Sequence, residues 1–454
     1  MILRISGLSV ILIAALAGPV IAQNPPEPVG DAGFFGEREV LAGDPVAPGA
    51  DEPARAADAA AVGSPDQTSP EVPVVGKPSS DDIDLGSLGL DPASLAFDDK
   101  LNLYGFADFT FLLQHWLQNP MAPPNARTFQ SGSLNIYLAK NLTAKARMLA
   151  EVRFTFMPNG TMNPDGSFIE TSAQDLVNFS RITNWGGIVI ERAYAEYDLT
   201  EHVTIRGGHW LTPYGIWNID HGSPAIIGTH RPYIIGEQFF PEHQTGLDLF
   251  GSHYLDRFKV EAHLTASNGR GATEAQIDQD NKLAFGGSVR VATPWGLTLG
   301  GSYYRGRYTG LAPGFGMPAP TYREAAYGGD VQFDRGALHI QAELIARDRH
   351  FGSGQFSTAT GGGTDARDLG AYAIAGYRFD QLWNVMPYFY YENYQPSDHS
   401  LFAKVNAGNL GLNFRPAANL VFKLQGTYVE FGDDPALLAG QKLILFAAQT
   451  SWVF

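Results

Sequence analysis

The chain of 454 residues contains no cysteine. That excludes disulfide staples, thiolate catalysis and a lipid-anchored terminal cysteine, so an exported fold must hold together without covalent cross-links. Past the first two dozen residues no apolar run approaches the roughly 18 needed for a transmembrane helix. Charge is also scarce, at 17% of residues. No Gly-rich phosphate loop follows a strand and opens a helix, which excludes the usual nucleotide sites; "TGGGT" at 360–364 reads as a flexible loop.

What is abundant points elsewhere. Aromatics make up 12% of the chain and glycines number 51. That balance suits strands and turns better than helices. The opening "MILRISGLSVILIAALAGPVIAQ" has one basic residue, Arg4, an apolar run and small residues before Gln23, the layout of a secretory signal over 1–22. Residues 23–99 are rich in Pro, Ala, Gly and Asp, with sixteen acids against three bases, a net charge of −13. Such a segment cannot bury enough apolar surface to offset its ordering entropy and is expected to be a disordered periplasmic linker. With Arg4 supplying +1, the remaining residues, 100–454, carry −4 of the chain's −16, so the acidity belongs to the tail.

From Leu101 onward, apolar and polar residues alternate with period two. In "TAKARMLAEVRFTF" (143–156), Ala146, Met148, Ala150, Val152 and Phe154 share one face, and Arg147, Glu151 and Arg153 the other. Strict alternation of this length argues a strand with one apolar and one polar face. Sixteen such segments are expected near 101–115, 127–140, 143–157, 188–198, 203–211, 243–251, 257–267, 281–292, 296–307, 321–333, 337–349, 367–379, 384–395, 403–414, 419–430 and 441–453. Their connections alternate short and long, a sorting that fits a transmembrane barrel with short periplasmic turns and long outer loops. The expected fold is therefore all-β: a 16-stranded antiparallel transmembrane β-barrel over 100–454. Trp295, Trp383 and Trp452 fall near short turns, and Trp116, Trp185 and Trp210 near long loops, which predicts aromatic girdles at both rims.

The chain stops on "AAQTSWVF". A last strand that pairs with the first removes both sheet edges, so Phe454 can be structural. Phe446, Ala448, Thr450, Trp452 and Phe454 are expected to share the lipid face. The terminal aromatic pattern resembles the signal by which outer-membrane assembly machinery reads its clients, with Trp452 and Phe454 as the residues read. Sixteen strands leave an aqueous interior too wide for side chains to fill. The third long connection, 212–242, is apolar enough to pack inside it and bears Asp220, His221, His230, Arg231, Glu237 and Glu242, with His243 at its end. These are the candidate constriction residues. Arg147, Glu151, Arg153, Arg192, Arg206 and Asp248 are candidates for the lumen wall, where bases outnumber acids slightly. The histidine spacing matches no zinc pattern, so no metal or other cofactor is expected.

In strand count, loop order and terminal pattern, residues 100–454 resemble the 16-stranded porins of Gram-negative outer membranes. "IRGGHWLTPYGI" (205–216) also resembles the Gly-x-x-x-x-Pro-aromatic segment of the phosphate-selective porin O and P family. The resemblance implies an inward-folded third loop, a homotrimer, lipid and lipopolysaccharide as surroundings, and passive diffusion of small hydrophilic solutes or ions; no nucleic acid is involved. A dense lysine arrangement suited to phosphate is missing, since 212–242 contains no lysine. The reading is an anion-leaning or non-selective channel. Its alternatives are a channel specific for phosphate or organic anions and a lipase- or protease-like outer-membrane barrel enzyme. No Ser–His–acid set is evident from spacing, so the chain is not expected to be an enzyme.

Overall fold

The structure is a computed structural model that describes residues 100–117, 125–155, 161–162, 168–169, 187–219, 222–236, 239–271, 281–309, 321–351, 365–397, 403–433 and 439–454. The signal and the acidic linker lie outside the described residues.

Among the described residues, 16 long antiparallel strands form one closed barrel. They are β1 (Asn102–Trp116), β2 (Ala126–Asn141), β3 (Ala146–Thr155), β4 (Gly187–Asp198), β5 (Val203–Leu211), β6 (His243–Leu255), β7 (Phe258–Ser267) and β8 (Ala284–Ala292). Then follow β9 (Leu297–Thr309), β10 (Thr321–Arg335), β11 (Leu338–His350), β12 (Ala366–Tyr377), β13 (Met386–Gln395), β14 (Val405–Ala417), β15 (Leu420–Phe431) and β16 (Lys442–Val453). Each of the sixteen expected segments has a counterpart, with bounds shifted by a few residues. The short connections close as tight turns. Gly336 and Gly296 supply left-handed backbone there, at φ 61° and 85°, where a Cβ would be strained. Between β12 and β13, Trp383 and Asn384 take φ 55° and 54°, the paired left-handed geometry that matches strand twist in a hairpin.

The seam joins β1 to β16, in register from Phe106 opposite Val453 to Trp116 opposite Leu443. Beyond it Phe454 exchanges both backbone hydrogen bonds with Gly105, each 2.9 Å. Phe454 thus adds a rung to the closure. The expected outward face of β16 is present: Phe446, Trp452 and Phe454 are exposed, Ala448 and Thr450 on the same face are half-buried, and Ile444 joins them, while Leu443, Leu445, Gln449, Ser451 and Val453 are buried inside.

The aromatic rims differ from expectation at one end. Trp295, Trp383 and Trp452 are exposed at the short-turn end. At the long-loop end, Trp116 and Trp210 are buried, and Trp185 lies outside the described residues. Both buried tryptophans share the strand parity of inward residues: Trp116 that of Leu112 and Gln114, Trp210 that of Arg206. Trp116 stacks on Phe431, ring centroids 6.0 Å apart. Phe129, Phe285, Tyr391 and Tyr428 are the exposed aromatics toward that rim instead. Proximity to a loop fixes height along the barrel, whereas parity fixes the face.

Deleting Phe454 removes two backbone bonds, each worth about 1 kcal/mol net. Refolded protein lacking Phe454 is expected to unfold a few degrees lower while keeping the mobility difference between boiled and unboiled gel samples. Its level in cells should fall further than that small loss accounts for, as an assembly signal requires. Equal cellular levels would contradict the signal role.

Candidate pore constriction

The segment 212–242 leaves β5, crosses the interior and returns to β6. Its base is tied by Thr212, whose amide donates to the Glu242 carbonyl at 3.0 Å. Asn218 Nδ2 donates to Thr212 Oγ1 at 2.9 Å and to the Pro241 carbonyl at 3.2 Å. From that base the chain reaches the far arc of the barrel, β9 to β15. Gly215 donates its amide to Ser302 Oγ on β9 at 3.1 Å. The amides of Ile216 and Trp217 donate to one oxygen of Glu343 on β11, at 2.9 and 3.1 Å. The Tyr233 amide, opening a one-turn helix α1 (Tyr233–Gly236), donates to Glu392 on β13 at 2.7 Å. Asn413 on β14 donates to the Ile227 carbonyl at 3.0 Å. On β15, Lys423 Nζ donates to the carbonyls of Ser223 and Gly228, at 2.5 and 2.8 Å, and Gln425 accepts from the Thr229 amide at 3.0 Å.

These anchors answer a physical demand. An irregular segment inside a barrel cannot use ladder bonds, and buried backbone groups left unpaired are costly. Side chains of the wall supply the missing partners. Apolar packing adds to them. Tyr214, Trp217, Ile226, Ile234, Ile235, Phe239 and Phe240 are all buried. Fully burying such a side chain contributes about 1.5–3 kcal/mol. Trp217 meets Tyr372 edge-on at 6.1 Å, and Phe239 lies 5.8 Å from Tyr394. Tyr214 donates or accepts at Thr265 Oγ1, 2.7 Å away, and burial pushes its hydroxyl pKa up.

The other arc, β3 to β7, carries paired charges. Arg192 meets Glu151 at 2.7 Å, and Tyr137 and Asn135 also donate to Glu151. Arg206 is fully buried between the rings of Tyr194 and Phe250, 4.6 and 4.7 Å from their centroids. It pairs with Glu196 at 2.6 Å and Asp248 at 3.4 Å, and His263 approaches Asp248 at 3.1 Å. Arg147 reaches Glu196 and Asp198. Arg153 lies 2.9 Å from Glu191, which also meets His243 at 2.6 Å. All six predicted wall residues therefore have an oppositely charged partner on this arc, in three groups: Arg147, Arg206 and Asp248 with Glu196, Arg192 with Glu151, and Arg153 with Glu191.

Glu191 was not legible from alternation. A register shift where β3 meets β4 pairs Glu151 with Arg192 and Val152 with Ile190. The extra residue is Glu191, and both Glu191 and Arg192 are buried. A bulge re-aims one side chain without leaving a periodic trace in sequence. Asp198 was missed as well, at the strand end.

The candidate constriction residues do not form one ring. Asp220, His221 and Glu237 lie outside the described residues. His230 packs against the far arc, Nδ1 2.9 Å from Gln425 Nε2 and its ring 5.9 Å from Tyr390. Arg231, Glu242 and His243 gather at the loop base. Arg231 pairs with Glu242 at 2.5 Å, and His243 stacks on His209 with centroids 5.4 Å apart. Glu191, Glu242 and His243 bring ligand-capable atoms within 4.8 Å of one another, and Arg153 and Arg231 supply positive charge beside them.

Glu343 bonds two loop amides at once, and Tyr372 on the wall orients it by donating to the same oxygen. Glu343→Ala is expected to strand the buried Trp217 amide, costing about 1–3 kcal/mol, and the half-buried Ile216 amide, costing less. The loop should then become cleavable by protease within 212–242 while the barrel keeps its gel shift. Unchanged protease resistance would show that the loop stays seated without Glu343.

No family model matches the sequence. A protein of Aquifex aeolicus described only as uncharacterized is 22% identical over 203 residues, which covers 42% of this chain and 42% of that protein. Among solved structures, an anion-selective porin from Comamonas acidovorans superposes with a TM-score of 0.52 at 12% identity, over 78% of this chain and 99% of the porin. The outer-membrane channel DcaP of Acinetobacter baumannii gives 0.50 at 11% identity, over 78% and 97%. Strand number, closure and these superpositions agree: the chain has the fold of the outer-membrane porins.

Proposed function

We propose that the chain forms a passive channel across an outer membrane for small hydrophilic solutes or ions, with segment 212–242 as its constriction. The observation that carries this reading is the loop itself, seated inside a closed barrel and bonded to the far wall by Ser302, Glu343, Glu392, Asn413, Lys423 and Gln425. A loop held this way divides a wide lumen. The candidate lining is the loop base, where Arg231, Glu242, His243, Glu191 and Arg153 meet the network of β3 to β7. The reading includes a homotrimer, as the porin resemblance implies.

Selectivity follows from pairing. Arg147, Arg153, Arg192 and Arg206 each have a carboxylate partner on the same arc. Arg231 has Glu242. Paired charges of opposite sign project little net field along a path, so the channel is proposed to discriminate weakly between anions and cations rather than to lean strongly to anions. Phosphate specificity lacks the lysine cluster it needs.

The test is conductance and reversal potential in planar bilayers under a salt gradient. Arg231→Gln leaves Glu242 unbalanced and is expected to shift selectivity toward cations; Glu242→Gln should shift it toward anions. Deleting 218–238 should raise conductance severalfold. Charge changes on outer loops should matter little, because exposed charges beyond about 10 Å are screened at 0.1 M salt. If none of the three variants alters either quantity, the loop is not the constriction.

A further inference from the structure

The loop base also brings together a donor set that passive diffusion does not require. Glu191 on β4, Glu242 at the return of the loop and His243 opening β6 each place a ligand-capable atom within 4.8 Å of the other two. Spacing along the chain hides this set, because Glu191 enters through the bulge between β3 and β4. Glu191 forms its floor, with 1% of its side chain exposed, and His243 its mouth, with 17% exposed. His243 Nε2 lies 2.6 Å from Glu191 Oε2. The ring is steadied by His209, stacked on it within 7° of parallel, and His209 Nδ1 meets Thr245 Oγ1 at 2.9 Å. The Glu242 backbone is fixed as well, since its carbonyl accepts from the Thr212 amide.

Two carboxylates and one imidazole are donors of mixed hardness. Calcium and magnesium favour oxygen alone. Zinc takes nitrogen and oxygen together, commonly from three side chains with water in the fourth position. Bonds of about 2.0–2.1 Å put tetrahedral donors roughly 3.3 Å apart. His243 Nε2 and Glu191 Oε2 must therefore part by about 0.7 Å to admit the ion, and no pair need close by more than about 1.5 Å. The neighbouring cations are compatible with this. Arg153 Nε meets Glu191 Oε1 at 2.9 Å while His243 meets Oε2, so one carboxylate can bridge guanidinium and ion through separate oxygens. Arg231 meets Oε1 of Glu242 at 2.5 Å in the same way. Partners that hold a ligand from behind fix its orientation. Their charges also offset those of the carboxylates, so the ion is held by coordination rather than by a net negative field.

We propose that Glu191, Glu242 and His243 bind one divalent transition-metal ion, zinc being the best match, and that the ion clamps the base of segment 212–242 to β4. Glu242 and His243 belong to the loop's return and Glu191 to the wall, so the ion bridges the two. It also adds two positive charges beside Arg153 and Arg231, which turns a weakly selective path toward anions. That second consequence rests on the constriction reading; the site itself does not.

The experiment uses full-length, untagged protein in detergent, stripped with chelator and titrated with zinc chloride by calorimetry. Bound zinc is then counted by elemental mass spectrometry after desalting. The wild type is expected to hold one zinc per chain more than His243→Phe, which keeps a ring to stack on His209 but offers no ligand. Glu191→Gln should weaken binding about tenfold or more, a loss that even changes behind a ligand produce. His243→Asp, which supplies another metal ligand, should recover part of the binding. His202→Gln, in the exposed pair His202 and His253 whose rings lie 4.9 Å apart, should leave the count unchanged. If His243→Phe loses the boiled-versus-unboiled gel shift, Glu191→Gln carries the test. Absence of bound zinc, or equal binding by wild type, His243→Phe and Glu191→Gln, would overturn the proposal. A count lowered by His202→Gln instead would place the ion at that pair and also overturn it. Zinc bound through Glu191 and His243 that leaves the reversal potential unchanged would establish the site and count against 212–242 as the constriction.

Discussion

No backbone amide or carbonyl can be left unpaired in hydrocarbon, and the architecture follows from that constraint. A sheet meets it only by closing, so β1 must find β16, and Phe454 extends the seam at Gly105. Closure at sixteen strands then creates a second problem, an interior too wide to fill with wall side chains. The loop 212–242 occupies it. Buried there, the loop meets the same constraint again, and the far wall answers with carboxylate, amide and ammonium groups aimed at its backbone.

Charge inside the barrel obeys a related rule. A buried ion is costly unless paired and hydrogen-bonded. Arg206, with no exposed surface, has two carboxylates and two aromatic faces around it. Farther along the wall, Arg270 pairs with Glu324, and Arg347 and Arg349 share Asp368. The interior is therefore densely charged yet locally balanced. Alternation alone implies such pairing, since inward bases and acids on neighbouring strands face one another, but the sign of a wall depends on which partners touch.

Much of the fold was legible in the sequence because alternation is a direct imprint of a two-faced strand. Segments 143–156 and 258–266 show it cleanly, and the sorted connections gave the short-turn and long-loop ends. The inward loop was legible from its aromatic and branched residues. Three things were not. Glu191 sits at a bulge, which inserts one residue and reverses parity locally. Trp116 and Trp210 were assigned to the rim by height and turned inward by parity. The inner face of β13 to β16 mixes its polar anchors with apolar residues, with Tyr388, Tyr390, Val405, Ala407, Val429, Leu443 and Leu445 buried in the core cluster that includes the loop. The consecutive run "LILF" (443–446) was the available sign that both faces of β16 are apolar at that end.

The central claim is that 212–242 lies across the lumen against β12 and its neighbours. A Cβ built on Gly370 of β12 would lie 3.0 Å from Ile234 Cβ on the loop, about 0.5 Å short of the roughly 3.5–4.5 Å that a disulfide spans, so a small outward shift of the loop seats the bond. Because the chain has no cysteine, Ile234→Cys with Gly370→Cys gives one unambiguous pair. Oxidation of the folded double variant should form an intrachain disulfide in nearly all molecules, seen as a reducible mobility shift and as a cross-linked peptide by mass spectrometry. Folded barrels that stay as free thiols under the same oxidant would contradict the account.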